Sequence, residues 1–272
     1  MGKTAELGFI GAGNMATAIC RGIVRAGLIG ADEIIAADPD ETRRSRFEAA
    51  TGARTTTVNA DACRSRVLVF SVKPRVLPEV LEEVGPLLRG DILIISIVAG
   101  APARVIEVAA PRPVRVVRAM PNTPMLVGEG AAAVCRGAHA TDQDLARAVE
   151  LFSASATVIE VDEESMHAVT ALSGSGPAYL FYLAETMIRA GVEMGLSEAD
   201  AAVLTKKTLF GAGKMLIETG ESPGELRGAV TTPGGTTEAA LSSMARASVA
   251  EHIIAGIKAA CRRSRELSDG RG

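Results

Sequence analysis

Two rhythms of apolar and polar positions divide this chain. In its first part, short unbroken apolar runs alternate with stretches whose apolar residues recur at helical spacing. Leu7-Gly8-Phe9-Ile10 is such a run. Met15, Ile19, Ile23 and Val24 then repeat as on one helix face, to about Ala26, with Gly27 as a natural stop. Further strands are expected at residues 33–37, 54–58, 67–72, 92–98, 114–117, 131–134 and 158–161. From Glu163 the strands vanish and helices with clear starts take over. Ser173-Gly174-Ser175-Gly176-Pro177 opens a long helix, apolar nearly all round, to about Ala190. Such a helix belongs in a core or between subunits. Ser197-Glu198-Ala199-Asp200 and Ser222-Pro223-Gly224-Glu225 read as caps of the next two, and Thr141-Asp142-Gln143-Asp144 as a capping box in the first part.

The first run ends in Gly11-Ala12-Gly13-Asn14-Met15-Ala16, a strand, a glycine turn and a helix in succession. Gly11 permits the turn, Gly13 lets a pyrophosphate approach the backbone, and Ala16 keeps helix and strand close. The opening N–H groups of the helix face the phosphates. An ordinary glycine turn has the same letters; the strand before and the helix after favour a nucleotide. The expectation is an α/β fold: an N-terminal Rossmann-type dinucleotide-binding domain, residues 1–162, and an all-α C-terminal domain, residues 163–272.

Other candidate residues lie at the ends of later strands. Asp38 ends the second strand about 20 residues past the glycine turn, where an acid bonds the adenosine ribose diol. It also suits the N-cap of the next helix, and the two roles are compatible. Arg43 and Arg44 either meet a 2′-phosphate or, the favoured reading, form a solvated face. Val72-Lys73-Pro74 breaks the fourth strand and leaves Lys73 at the ligand-binding edge of the sheet, or simply on the surface. Ala99 and Gly100 end the fifth strand. Asn122-Thr123 stands between Pro121 and Pro124 in a stiff polar turn. In the helical part, Thr232-Pro233-Gly234-Gly235-Thr236-Thr237 lies between two helices. Its backbone N–H groups and hydroxyls suit a small carboxylate. Alternatively it is a turn with a Thr N-cap.

Composition narrows the classes. At 272 residues the length suggests about two domains. A net charge of −3, no Trp, and few Tyr and Phe argue against nucleic acid as a partner. No apolar run is long enough to span a bilayer. The early first strand argues against a signal peptide, and Gly2 lacks the hydroxyl residue at position 6 of a myristoylation site, where Glu6 stands. The four cysteines and three histidines lack metal-ligand spacing, so no metal is expected. The cysteines read as reduced packing residues of a cytoplasmic protein.

Taken together, the glycine turn, Val72-Lys73-Pro74, Asn122-Thr123-Pro124, Leu172-Ser173-Gly174-Ser175-Gly176-Pro177-Ala178-Tyr179 and Thr232-Pro233-Gly234-Gly235-Thr236-Thr237 resemble pyrroline-5-carboxylate reductases, over residues 6–267. The resemblance implies reduction of a five-membered cyclic imine to L-proline by NADPH or NADH, the last step of proline biosynthesis. It implies that Gly11, Ala12, Gly13, Asn14, Met15, Asp38, Val72, Lys73, Pro74, Ala99 and Asn122 lie along the cofactor. It implies catalytic roles for Thr237, on the ring nitrogen, and Ser175, beside the nicotinamide. Thr232, Gly234, Gly235, Thr236, Thr237 and Gly176 are the implied substrate residues. It also implies a homo-oligomer, a dimer or a ring of dimers. Asp38 stands where many relatives have a small polar residue, so NADH is expected to serve at least as well as NADPH. Two rivals are another imine or 3-hydroxy acid oxidoreductase of this architecture and a non-catalytic dinucleotide-binding protein. Absence of a lysine in residues 179–187 speaks against the first, and the Thr237 loop against the second.

Overall fold

The structure, a computed structural model, describes residues 4–268; Gly2 lies outside them. Eight strands form one sheet: β1 (Leu7–Ile10), β2 (Ile34–Ala37), β3 (Arg54–Thr56), β4 (Val67–Phe70), β5 (Leu93–Ser96), β6 (Arg115–Pro121), β7 (Gly130–Arg136) and β8 (Ala156–Glu160). Their order is β3-β2-β1-β4-β5-β6-β7-β8. All neighbours are parallel except β6 and β7. The connecting helices are α1 (Asn14–Arg25), α2 (Glu41–Thr51), α3 (Asn59–Ala62), α4 (Leu77–Val84), α5 (Ala103–Glu107) and α6 (Asp142–Ser153).

The unbroken apolar runs follow from burial on both faces of a parallel sheet. Successive side chains of a strand point to opposite faces. Leu7, Phe9, Val67 and Val69 accordingly join α1, Phe47 and α6 in one apolar layer. Ile10, Leu68 and Phe70 join α4 and Ile106 in the other. Strand order reverses between β1 and β4, and ligands of open α/β sheets bind beyond the carboxyl ends at such a point. Both strands end there in the candidate motifs.

The chain forms two compact units. One runs to Ser175 and regains the chain from Ala260; the other is Gly176–Ala259. The first contains the sheet, α7 (Met166–Val169) and a π-helical turn, Thr170–Gly174. The second is helical: α8 (Gly176–Glu193), α9 (Glu198–Glu218), α10 (Pro223–Ala229), α11 (Thr236–Arg246) and most of α12 (Val249–Ser268). α8 and α9 approach closely at Gly191, where a Cβ would lie 2.9 Å from that of Ala201. Among the described residues, no helix is long and apolar enough to cross a membrane.

Capping chemistry was legible. Thr141 and Ser222 each form a reciprocal capping box, with Asp144 and Glu225, and Ser197 caps α9. Several boundaries differ from the sequence reading. β6 was expected to stop at Val117 but continues to Pro121, because β7 pairs with its outer side from Val117 to Pro121. β2, β3, β4 and β5 are shorter than expected, as their ends turn into loops at the sheet edge. The helix expected from Ser173 begins at Gly176, and the π turn precedes it. Cys20, Cys63 and Cys135 are buried, and desolvation pushes their thiols up to about 12, 12 and 11. They pack as small apolar groups.

Candidate active site

The glycine turn is built around one strained position. Gly11 has φ +97°, and its N–H donates to the carbonyl of Ala37 at 2.7 Å. A Cβ there would lie 2.8 Å from the carbonyl oxygen of Ser71. Only glycine fits both demands. The Ser71 hydroxyl donates toward the carbonyls of Ile10 and Gly11, at 2.9 and 2.7 Å. This clamp across the strand-order reversal was missed in the sequence, although Ser71 stands beside Val72.

Gly13 is the N-cap of α1, with no side-chain cap, and a Cβ there would meet nothing within 4 Å. The open space lies beside the first-turn N–H groups of Asn14, Met15 and Ala16, which lack intrahelical partners by geometry. Asn14 is exposed and Met15 half-buried. The turn therefore fits a dinucleotide: backbone donors, a helix N-terminus and no side chain in the approach.

Asp38 is only 2% exposed. Its Oδ2 accepts the N–H of Ala12 and its Oδ1 that of Asp40, both at 2.9 Å. The N-cap of α2 is Asp40, which accepts the N–H of Arg43; Asp38 does not hold that position. Val72 is half-buried against the second apolar layer, and exposed Lys73 is the N-cap of a 3₁₀ turn opened by Pro74. Ala99 is half-buried, next to Gly100 at φ +72°.

Asn122, a buried side chain, joins two loops. Its Oδ1 accepts the N–H of Ala131 at 2.9 Å. Its Nδ2 donates to the carbonyl and hydroxyl oxygens of Ser173, both at 3.3 Å. Ser175 closes the π turn, its N–H donating to the carbonyl of Thr170 at 2.8 Å. π turns recur at functional sites. The structure thus brings Asn122 to the turn that carries Ser175, a link no sequence periodicity showed. Gly176 follows as the first residue of α8, in the second unit.

In that second unit, the loop between α10 and α11 has its own internal order. Gly235 is the N-cap of α11 and has no side-chain cap, so the expected Thr cap is absent. A Cβ on Gly235 would lie 2.5 Å from the Thr232 hydroxyl. Gly234, at φ +74°, donates its N–H to Glu238 Oε2 at 2.7 Å, and Gly235 donates to the Thr232 carbonyl at 2.9 Å. Both glycine N–H groups are thus engaged inside the loop. The first-turn N–H groups of Thr236 and Thr237 remain for a ligand.

The chain matches two family models. Residues 6–100 match the coenzyme F420-dependent NADP oxidoreductase model, and residues 163–267 the pyrroline-5-carboxylate reductase dimerisation model. The pyrroline-5-carboxylate reductase of Methanosarcina acetivorans is 40% identical over 97% of this chain and 98% of its own length. This chain belongs to the pyrroline-5-carboxylate reductase family. The Pisum sativum reductase is 38% identical over 96% of both chains. The solved reductase from Coxiella burnetii superposes with a TM-score of 0.88 at 35% identity, covering 98% of this chain and 99% of that one. The Plasmodium falciparum reductase, solved with NADP bound, gives 0.87 at 29% identity, covering 98% of this chain and all of the other. In this reductase chain the two motif-rich stretches, 6–100 and 163–267, are those that the family models match.

Proposed function

We infer that this chain reduces pyrroline-5-carboxylate to proline with NAD(P)H, the cradle lying at the glycine turn and the substrate contacts in the Thr232–Glu238 loop. The observation that carries the substrate half is the start of α11. Among the described residues, the Thr237 hydroxyl has no hydrogen-bond partner, and the side chain is half-buried beside free first-turn N–H groups. An anionic carboxylate suits those N–H groups. The hydroxyl then accepts a hydrogen bond from the N–H of the protonated ring nitrogen. Thr232 and the two glycines hold the loop in shape.

Little acid–base machinery is needed. A protonated imine is already electrophilic, so proximity and orientation do most of the work. NAD(P)H, when bound, supplies the hydride. Asn122, through Ser173, holds the turn that carries Ser175, the residue assigned to the nicotinamide side. Val72, Lys73, Pro74 and Ala99 would line a bound dinucleotide at the sheet edge. A substrate panel separates this reading from its rivals: NAD(P)H consumption with pyrroline-5-carboxylate is expected, and no reduction of NAD(P)⁺ with 3-hydroxy acids. The reverse pattern would replace it with a 3-hydroxy acid dehydrogenase.

The helical unit forms a homodimer, alone or within a ring of dimers. Among the described residues, Gly191 is the one position of α8 that is buried, while Phe181 and Tyr182 are 64 and 72% exposed. Phe210 and Ile217 of α9 are 64 and 79% exposed. Apolar side chains so extensively exposed mark an interaction surface. Light scattering at micromolar protein is expected to give a dimer or a multiple of it; an active monomer would rule this assembly out.

A further inference from the structure

Three helices of this chain start with a hydroxyl residue whose oxygen accepts the N–H three residues on: Thr141 for Asp144, Ser197 for Asp200 and Ser222 for Glu225. In two of them the acid at that third position reaches back and accepts the N–H of the cap residue, Asp144 at 2.9 Å and Glu225 at 2.8 Å. α11 has one half of this arrangement. Glu238 holds the third position, and its Oε2 accepts the N–H of Gly234 at 2.7 Å. The hydroxyl half is missing, because the N-cap is Gly235. The reach of Glu238 is also longer, since Gly234 lies four residues back, one before the cap. Gly234 has φ +74°, and a Cβ on it would meet nothing within 4 Å. Packing therefore does not fix its left-handed conformation. Within one chain neither α10 nor α11 buries a residue, so hydrogen bonds rather than a core hold the loop between them.

We propose that Glu238 is a positioning residue for the substrate carboxylate: by holding Gly234 it keeps the loop in the shape that leaves the first-turn N–H groups of α11 open, and the bound carboxylate supplies the missing half of the cap. This rests on the Thr232–Glu238 loop being the substrate site. In the complete boxes of α6 and α10 a hydroxyl takes the N–H that is left over at α11. Glu238 itself does not touch the substrate. It serves as a hydrogen-bond acceptor at a fixed reach, and its charge is not what the loop requires. An acid in the first turn also favours the helix through its dipole, so a change in Tm alone does not separate the two roles.

The test is steady-state kinetics of the full-length wild type, Glu238→Ala, Glu238→Asp and Glu238→Gln, beside Tm and the dissociation constant of NADPH. Each protein is given pyrroline-5-carboxylate and 1-pyrroline, the same ring without the carboxylate. Glutamine keeps an acceptor oxygen at the same reach and loses the charge, whereas aspartate keeps the charge and is one methylene short. Glu238→Ala and Glu238→Asp are expected to raise KM for pyrroline-5-carboxylate about tenfold, with kcat and NADPH affinity within about threefold. Glu238→Gln is expected to restore KM to within about threefold of the wild type. With 1-pyrroline all four proteins should agree within about threefold, because there is no carboxylate to place. Where its turnover is too slow to measure, competition by L-proline and by pyrrolidine gives the same contrast. An equal change in KM for both imines would make Glu238 part of the general fold and overturn the proposal. A rise in KM in Glu238→Gln with Glu238→Asp unchanged would assign the effect to charge and overturn it too. Aspartate is favoured at helix starts, so its variant decides the matter should Glu238→Ala not fold: an unchanged KM refutes the assignment. A wild type that reduces neither imine refutes the substrate site and the proposal with it; a wild type that reduces pyrroline-5-carboxylate no better than all three variants refutes the proposal alone.

Discussion

Replacing Thr237 by alanine is expected to lower kcat/KM for pyrroline-5-carboxylate roughly ten- to a hundredfold, with Tm and NAD(P)H affinity unchanged. The size follows from one hydrogen bond. A bond to a charged group is worth about 1.5–3 kcal/mol, and each 1.36 kcal/mol is about a factor of ten in rate. Misorientation of the ring adds to the loss. Structure sharpens the prediction beyond what sequence allowed. A threonine at a helix start often caps it, and its loss then costs stability. Here the N-cap is Gly235, and Thr237 makes no cap bond. Its removal should therefore leave the fold alone. Thr237→Ser keeps the hydroxyl and is expected to keep most activity. A lowered Tm with normal kinetics would return the residue to a structural role.

The second large effect concerns the two glycines of the first turn, which should fail in different ways. Gly11→Ala places a Cβ 2.8 Å from the Ser71 carbonyl oxygen, on a backbone at φ +97°. Neither the strand nor the turn has room to give. Left-handed strain alone costs about 1–3 kcal/mol, or several degrees of Tm in a chain of this size, where each kcal/mol moves Tm by roughly 2–4 °C. Gly13→Ala adds a methyl where no atom lies within 4 Å. It should keep its Tm and lose NAD(P)H affinity by about tenfold or more, because the methyl stands in the path of the phosphates. Paired measurement of Tm and dissociation constants on both variants checks this. A Gly13→Ala protein that binds NAD(P)H normally would show that the turn is not a phosphate cradle.

Local rules made much of the fold legible, and their reach explains what was not. The apolar runs of β1 and β4, the glycine turn and the caps at Thr141, Ser197 and Ser222 depend on neighbours within a few residues. Periodicity and capping chemistry read such features directly. The extension of β6 through Arg118 to Pro121 does not, because it depends on pairing with β7. Nor does the π turn at Thr170–Gly174, tied to Asn122 some fifty residues earlier. The candidate site divides in the same way. Its glycines and threonines were visible as motifs, but how their polar atoms are spent was not. Asp38 turns inward onto Ala12, 26 residues away, which no local rule reads, while Glu238 takes the N–H of Gly234 only four residues back, in a loop whose letters do not announce that bond. The consequence is that a residue type at a motif position names a candidate, while its hydrogen-bond partners decide the role.

The most direct test of the central claim is stoichiometric. Purified full-length protein, pyrroline-5-carboxylate and NAD(P)H are mixed, and the oxidised dinucleotide is measured by absorbance while proline is measured by amino-acid analysis. The account predicts one proline formed for each NAD(P)H consumed, in the wild type and, more slowly, in Thr237→Ala. Dinucleotide oxidation without proline, or binding of NAD(P)H with no turnover of the imine, would contradict it.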